Sequence, residues 1–236
     1  EVVQILDTVH EGLFLVTRDG QIGGQRSASL DTLFGRPLQP NENFRELLRT
    51  LVSPEEFETV RQYIDVLFND KDKQSWNKIF PAGRKMFAGL TSAFERIELF
   101  GTGGYASRPM FADFLDEASV ILDRPTLRDA SKNFRAVVPA WEALCLALLP
   151  DTIAPFKEAR QLLIQKRDAF HEKGAGASAE IKKIHARLER IRTAMEKKFP
   201  LAGEKETSFK ENLRDHILQV YDLEHKAVTA LDQAMR

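Results

Sequence analysis

Cys145 is the one cysteine of the chain and the first side chain whose type could supply a nucleophile. A reactive thiol needs some exposure and a nearby cation or helix N-terminus, because the thiolate is the nucleophilic form. Cys145 lies instead in the apolar run Leu144–Leu148. We therefore expect a buried core thiol that is not catalytic, and a single cysteine excludes an intramolecular disulfide.

The histidines do not have the spacing of a metal or catalytic motif. No pair is separated by four residues with a Glu between them, as a zinc-protease helix requires. His171 is followed by Glu-Lys-Gly, so it is either a phosphotransfer histidine or a helix-end histidine that interacts with the helix dipole. The five are His10, His171, His185, His216 and His225. We predict no catalytic residue and no metal site.

A glycine-rich segment precedes the helix that Pro109 is expected to open. Its backbone N–H groups could bind an anion at the start of that helix. The alternative is a tight turn between domains, for which glycine is also suited. No strand–helix unit with a following acidic residue surrounds it, so it is not a dinucleotide site. The candidate anion-binding residues are Gly101, Thr102, Gly103, Gly104 and Arg108.

A basic surface is predicted along the helix that spans residues 181–198. Seven cations stand there against two carboxylates, which permits a phosphate-facing or membrane-facing surface. The alternative is a solvated face, since no aromatic residues alternate with the charges. The cations are Lys182, Lys183, Arg187, Arg190, Arg192, Lys197 and Lys198, and the carboxylates are Glu189 and Glu196.

Composition limits the class of protein. The 236 residues are 43% hydrophobic and 29% charged, with a formal net charge of -1. This composition is typical of a folded soluble chain, and it does not favour a nucleic-acid partner. No apolar run is long enough to span a bilayer, so no membrane partner is expected. We expect a cytoplasmic protein, and no motif identifies a cofactor.

The first 80 residues predict a small hairpin followed by short helices. Leu13–Thr17 is rich in β-forming residues, and Asp19-Gly20 is a strong turn signal before a second strand at Ile22. Ser53-Pro54 opens a helix with an apolar stripe that ends at Phe68.

These residues resemble a PAS domain of bacterial sensor kinases, from the run Glu11–Ile22 to Tyr63–Asn69. The resemblance implies a module that senses a small molecule in an apolar pocket or changes a dimer interface. A PAS sheet has three further strands, whereas only Arg96–Phe100 is a strand candidate here. The candidate ligand-binding residues are Leu13, Leu15, Leu33, Phe34, Phe44, Leu47, Leu48 and Phe68.

Beyond residue 108 the apolar spacing is helical throughout. Ile181, Ile184, Leu188, Ile191 and Met195 form a coiled-coil-like seam. A turn at Pro200–Glu204 predicts that the last two helices are antiparallel neighbours. The last helix has an apolar seam of its own, and Glu224 lies between its members Val220 and Ala227, where an apolar residue is expected. It is either solvated at the seam's edge or semi-buried, where it would specify the helix register.

The region 96–236 resembles the C-terminal helical domain of acyltransferases like butirosin-biosynthesis protein H. The resemblance rests on Gly101–Gly104, Arg108, Phe114–Ala118, Trp141 and the break at Gly174-Ala175. It implies an accessory domain of carrier-protein-dependent acyl transfer, with a surface around Gly101–Arg108 that faces the substrate or the carrier. The cysteine of such enzymes belongs to a separate catalytic domain, so their activity does not transfer to this chain.

The sequence therefore predicts a mainly α (α+β) chain in three parts: a PAS-like module over 1–80, a linker over 81–107 and a helical bundle over 108–236. The first function hypothesis is a cytoplasmic signalling or interaction protein with a protein partner or self-association, and with a small-molecule ligand as a further option. The alternative is the acyltransferase accessory domain. A third possibility is an artificial fusion of two segments.

Overall fold

The computed structural model of the chain describes residues 61–62, 64–99 and 104–235. These residues are mainly helical, and no strand occurs among them. The predicted mainly-α class is confirmed at that level. The predicted hairpin at Leu13–Ile22 lies outside the described residues.

Seven α-helices have defined bounds in the described part of the chain. They are α1 Trp76–Ile79, α2 Arg84–Phe94, α3 Arg108–Ile121, α4 Thr126–Leu148, α5 Ala154–Lys173, α6 Ser178–Lys197 and α7 Glu204–Met235. A π-helix, Glu95–Leu99, continues α2. Short 3-10 turns precede α3 at Tyr105–Ser107 and α6 at Gly174–Ala177.

Glycine ends α5 and precedes α7. Gly174 has φ 51°, and its N–H donates to the carbonyl of Phe170, so this residue closes the last turn of α5. Gly203 has φ 56° immediately before α7. A left-handed φ is readily adopted only by glycine, which explains why both breaks occur where the sequence predicted them.

The described residues fall in two compact units. One unit contains Pro109–Ala136 and the chain from Glu224 onward. The other contains Val137–Leu223 and the described residues up to Arg108. We call this second unit the helical core unit, because it contains the candidate site.

Phe156 of α5 lies in the middle of the helical core unit. Its ring centroid is 5.8 Å from Phe87 of α2, 6.0 Å from Phe199 and 6.1 Å from Phe209 of α7. These distances are typical of favourable aromatic pairs. Buried side chains from α2, α4, α5, α6 and α7 complete the same cluster. The position of α2 is therefore set by burial of its apolar face.

The other unit is held by side chains that join α3 to α4. Ser131 Oγ donates to the carbonyl of Ala112 at 2.8 Å, and Phe111 meets Phe134 edge-on with ring centroids 4.7 Å apart. Arg135 forms ion pairs with Asp113 at 2.6 Å and Asp116 at 2.8 Å, which raise the pKa of its guanidinium.

The structure differs from the sequence prediction between residues 84 and 99. Arg96–Phe100 was the candidate strand, but Glu95–Leu99 is a π-helix, so that interpretation is wrong for the described residues. The alternating pattern suited a strand, yet Ile97 and Leu99 both pack against the helical core. Met86 is fully buried, so this part of the predicted linker is packed helix.

Glu224 is 5% exposed. The solvated-edge interpretation is therefore wrong, and the carboxylate is buried, as the second interpretation required. A buried carboxylate is costly unless it has partners, and Glu224 does have them in the structure.

Leu90→Ala tests the core position of α2, with Leu146→Ala as its matched control. Leu90 is 0% exposed and Leu146 is 46% exposed. We expect Leu90→Ala to lower the free energy of unfolding by about 2–5 kcal/mol, because it leaves a cavity. The control should cost less than about 1 kcal/mol. Urea titration followed by circular dichroism measures both, and equal losses would contradict the assigned packing of α2.

Candidate functional site

The π-helix places two carboxylates against α5. A π-helix has a wider turn than an α-helix and is frequent at functional sites. Glu95 Oε1 lies 2.6 Å from Lys166 Nζ, and Glu98 Oε1 lies 3.7 Å from Arg167 Nη1. All four side chains are partly buried, which shields both pairs from solvent more than typical surface pairs.

A left-handed turn follows in the described chain. Gly104 has φ 92°, and Tyr105, Ala106 and Ser107 have φ of 52°, 52° and 65°. Three successive non-glycine residues in this region are unusual, because each costs about 1–2 kcal/mol. Ser107 N–H donates to the carbonyl of Gly104 at 3.1 Å. Such strain persists only where surrounding contacts maintain it, and it is frequent at functional sites.

Glu98 joins the π-helix to the left-handed turn. Its Oε2 accepts a hydrogen bond from the backbone N–H of Tyr105 at 3.3 Å. A Cβ added at Gly104 would lie 3.4 Å from Glu98 Oε1, so the carboxylate is packed against that glycine. One carboxylate therefore contacts Gly104, Tyr105 and Arg167.

Burial and nearby carboxylates raise the pKa values of two groups at this site. Burial raises the pKa of the Tyr105 hydroxyl, and Glu142 and Glu98 raise it further. Burial raises the pKa of the Cys145 thiol to about 12, with added contributions from Glu98 and Glu142. Cys145 is 4% exposed, which confirms the predicted core thiol. It is protonated at neutral pH and is therefore unsuited to nucleophilic attack.

The predicted anion-binding residues are partly described. Gly104 borders the Glu98 carboxylate, and Arg108 Nη1 donates to the carbonyl of Ala106 at 3.1 Å. The remaining candidates Gly101, Thr102 and Gly103 lie outside the described residues. In the described part of this segment, residues 104–108, the backbone N–H of Tyr105 donates to the Glu98 carboxylate of the same chain. Anion binding by the whole segment stays a prediction.

The predicted ligand pocket falls almost wholly outside the described residues. Phe68 is partly buried. The other candidates are not described: Leu13, Leu15, Leu33, Phe34, Phe44, Leu47 and Leu48. Ligand binding by this set stays a prediction.

Sequence reasoning missed Glu98, Tyr105 and Arg167. The sequence shows the charges of Glu95, Glu98, Lys166 and Arg167, but charges at such spacing are common on solvated helices. A π-helix has no simple periodic signal. The pattern alone therefore could not predict that the two carboxylates form ion pairs with the two cations.

A shallow polar groove of about 360 Å³ lies between α5 and α6. Lys173 Nζ forms an ion pair with Glu180 Oε2 at 2.7 Å at its edge. This contact raises the pKa of Lys173 and lowers that of Glu180. The groove is lined by Gln161, Ile164, Gln165, Asp168, Ala169, Glu172, Lys173 and Glu180.

The described residues contain no group of histidine, cysteine and acidic side chains placed to hold a metal ion. They also contain no helix with the length and apolar character needed to cross a membrane.

The carboxylates of α6 are all engaged in ion pairs. Glu189 and Glu196 both bind Arg84 of α2, at 3.0 Å and 3.2 Å, and Glu180 binds Lys173 of α5. Glu189 also binds Arg192 of α6 itself, at 2.6 Å. In the described structure the ion pairs of these three carboxylates do not include Lys183, Arg190 or Lys197.

We define the α6 cation row as Lys183, Arg190 and Lys197. All three side chains are exposed, and in the described part of the chain none of them forms an ion pair. They recur every seven residues, so they lie nearly on one line along the helix. Over these two intervals the row spans about 21 Å.

Residues 71–169 match the family model described as Domain of unknown function (DUF4872). The match includes the π-helix, the left-handed turn and Cys145, and it ends within α5. No curated protein matches the chain, and no solved structure matches it either.

Cys145→Ala tests the buried thiol through the pH dependence of stability. The folded pKa of about 12 lies above the ordinary value of 9.0, so the folded state holds the thiol proton more tightly. This contribution is complete below pH 9 and is lost as pH rises toward 12. We expect the wild type to lose more stability than Cys145→Ala across that range in urea titrations. Parallel pH profiles would contradict it.

Ala106→Gly tests the left-handed turn, with Ala186→Gly in α6 as control. Ala106 has φ 52°, a conformation that favours glycine. We expect a gain in the free energy of unfolding of up to about 1 kcal/mol. The same change at Ala186, which is exposed and helical, should cost about 1 kcal/mol. Losses at both positions, measured by thermal unfolding, would rule out a strained left-handed Ala106.

Proposed function

We propose that the described helices form a non-catalytic interaction domain whose contact surface is the exposed basic face of α6. The domain would belong to a cytoplasmic signalling or interaction protein, with residues 1–80 as a PAS-like module that senses a ligand or dimerises. The proposal rests on one observation: three exposed cations of α6 lie in a row without ion pairs in the described structure.

The charge balance of the chain makes this surface distinctive. Its formal net charge is -1, so an excess of cations is local rather than general. Helix α6 contains six Lys or Arg residues and three Glu, and those Glu pair with Arg84, Lys173 and Arg192. A local excess of one charge favours encounter with a surface of the opposite charge.

The core supports an interaction role over a thiol-based one. Cys145 is buried, and burial together with Glu98 and Glu142 keeps it protonated. The carboxylates of the π-helix are paired with Lys166 and Arg167, which stabilises the fold around the left-handed turn.

Packing of the core also supports the finer fold proposal of a closing antiparallel helical hairpin. Ile191 and Met195 of α6 share one buried cluster with Phe209 and Leu213 of α7. Only residues 198–203 connect the two helices, and short connections favour antiparallel neighbours.

The accessory domain of a carrier-protein-dependent acyltransferase is the second candidate function. It is favoured by the strained turn at Tyr105–Ser107, which lies within the segment proposed to face the carrier or substrate. Backbone strain of this kind is frequent at functional sites. In that case a carrier protein would be the partner.

Photo-crosslinking in the source cells tests the proposed interaction surface. Benzoylphenylalanine at the exposed Ala186 should form an adduct with a partner. The triple variant Lys183→Glu, Arg190→Glu and Lys197→Glu should reduce that adduct by at least about tenfold, because charge complementarity is reversed.

A matched control separates the surface from net charge. Lys85, Lys205 and Arg214 are exposed and lie outside α6. Their triple change to Glu alters the net charge equally and should leave the adduct intact. Equal loss in both triple variants, or an adduct that neither variant reduces, would overturn the proposal.

A further inference from the structure

The chemistry of the α6 surface points to a class of partner, and this inference rests on the proposed function. We propose that the α6 cation row docks an acidic α-helix of a partner protein, with carboxylates spaced about seven residues apart. The supporting observations are the geometry of the row, the lack of an ion pair at its three cations among the described residues, and the chemistry of the surrounding face.

The geometry of the row matches a helix. Lys183, Arg190 and Lys197 project along one line with about 10 Å between neighbours. Side chains seven residues apart on a second helix have the same spacing, so two roughly parallel axes bring all three charges into register. An irregular chain would have to be ordered to match this spacing, at a cost in conformational entropy.

The face is kept available by contacts on its edges. Arg84 from α2 engages Glu189 and Glu196, and Arg187 forms a two-point contact with Glu158 of α5 at 2.5 Å and 2.9 Å. These pairs fix α6 against its neighbours while leaving the row exposed. Around the helix surface, the positions next to the row on the side of Lys182 are Ala186 and Thr193. Both are small and exposed, so no bulky side chain at these positions blocks an approaching helix.

The same face suits a protein better than a membrane or a nucleic acid. Ile184, Ile191 and Met195 of α6 are buried in the core, Leu188 packs against it and Ile181 is half-buried, so the helix lacks the broad exposed apolar face that enters a bilayer. The exposed face has no aromatic side chain for stacking on bases. A surface of carboxylates satisfies the cations without either contact.

Binding of defined probes to the full chain tests this inference. The first probe is a fluorescent acidic peptide of about 21 residues, with Glu at each seventh position and Ala elsewhere, long enough to form a helix. The second has the same charge but contains prolines that prevent the helix. Duplex DNA and phosphatidylserine vesicles are the other probes. Fluorescence anisotropy at low and physiological salt measures the binding of the peptides and DNA, and co-sedimentation measures the binding of the vesicles.

We expect the helical peptide to bind at least about tenfold more tightly than the proline peptide, since the proline peptide must be ordered on binding. The Lys183, Arg190 and Lys197 triple variant should weaken helical-peptide binding by at least about tenfold, and the Lys85, Lys205 and Arg214 control should change it by less than about twofold. Unchanged far-UV spectra exclude unfolding as the cause.

Other outcomes overturn the inference in recognisable ways. Equal binding of the two peptides would exclude a helical partner, and tighter binding of DNA or vesicles would assign the row to another class of ligand. If the Lys183, Arg190 and Lys197 triple variant binds DNA or vesicles more weakly than the wild type, the surface remains an interaction site and only the proposed class of partner is wrong. If the triple variant binds every probe as tightly as the wild type and gives the same yield of crosslinked adduct, both proposals fail.

Discussion

The Glu98 carboxylate is the contact on which the organisation of the candidate site depends. It accepts the Tyr105 N–H, lies against Gly104 and faces Arg167 of α5. The π-helix that presents it and the left-handed turn that it stabilises are both costly conformations. A partly buried carboxylate that accepts one backbone hydrogen bond and pairs with an arginine helps to offset that cost, because hydrogen bonds to a charged group are stronger than neutral ones.

Burial, with a further contribution from this charge, raises the pKa of the Cys145 thiol. The thiol is buried next to acidic groups, and both effects favour the protonated form. The helical core unit thus combines a rigid aromatic centre around Phe156 with a polar edge at the π-helix. Cys145 is buried within this unit, and α6 carries six Lys or Arg residues against three Glu.

The ion pairs of α6 explain how a nearly neutral chain presents a basic surface. Arg84 pairs with Glu189 and Glu196 from outside the helix, and Arg192 of α6 also pairs with Glu189, while the α6 cation row forms no ion pair among the described residues. Each exposed pair contributes little to stability by itself. Their effect is to select which charges remain available, and a partner would meet the cation row rather than a balanced surface.

The sequence by itself determined the helical class, the helix breaks at Gly174 and Gly203 and the burial of Cys145. Apolar periodicity and glycine conformation are local properties, so they can be interpreted without a fold. Tertiary structure alone decided that residues 95–99 are π-helical, that Glu224 is buried and that Glu98 meets Tyr105 and Arg167. These features depend on residues distant in the chain, whose packing and charge override the local pattern.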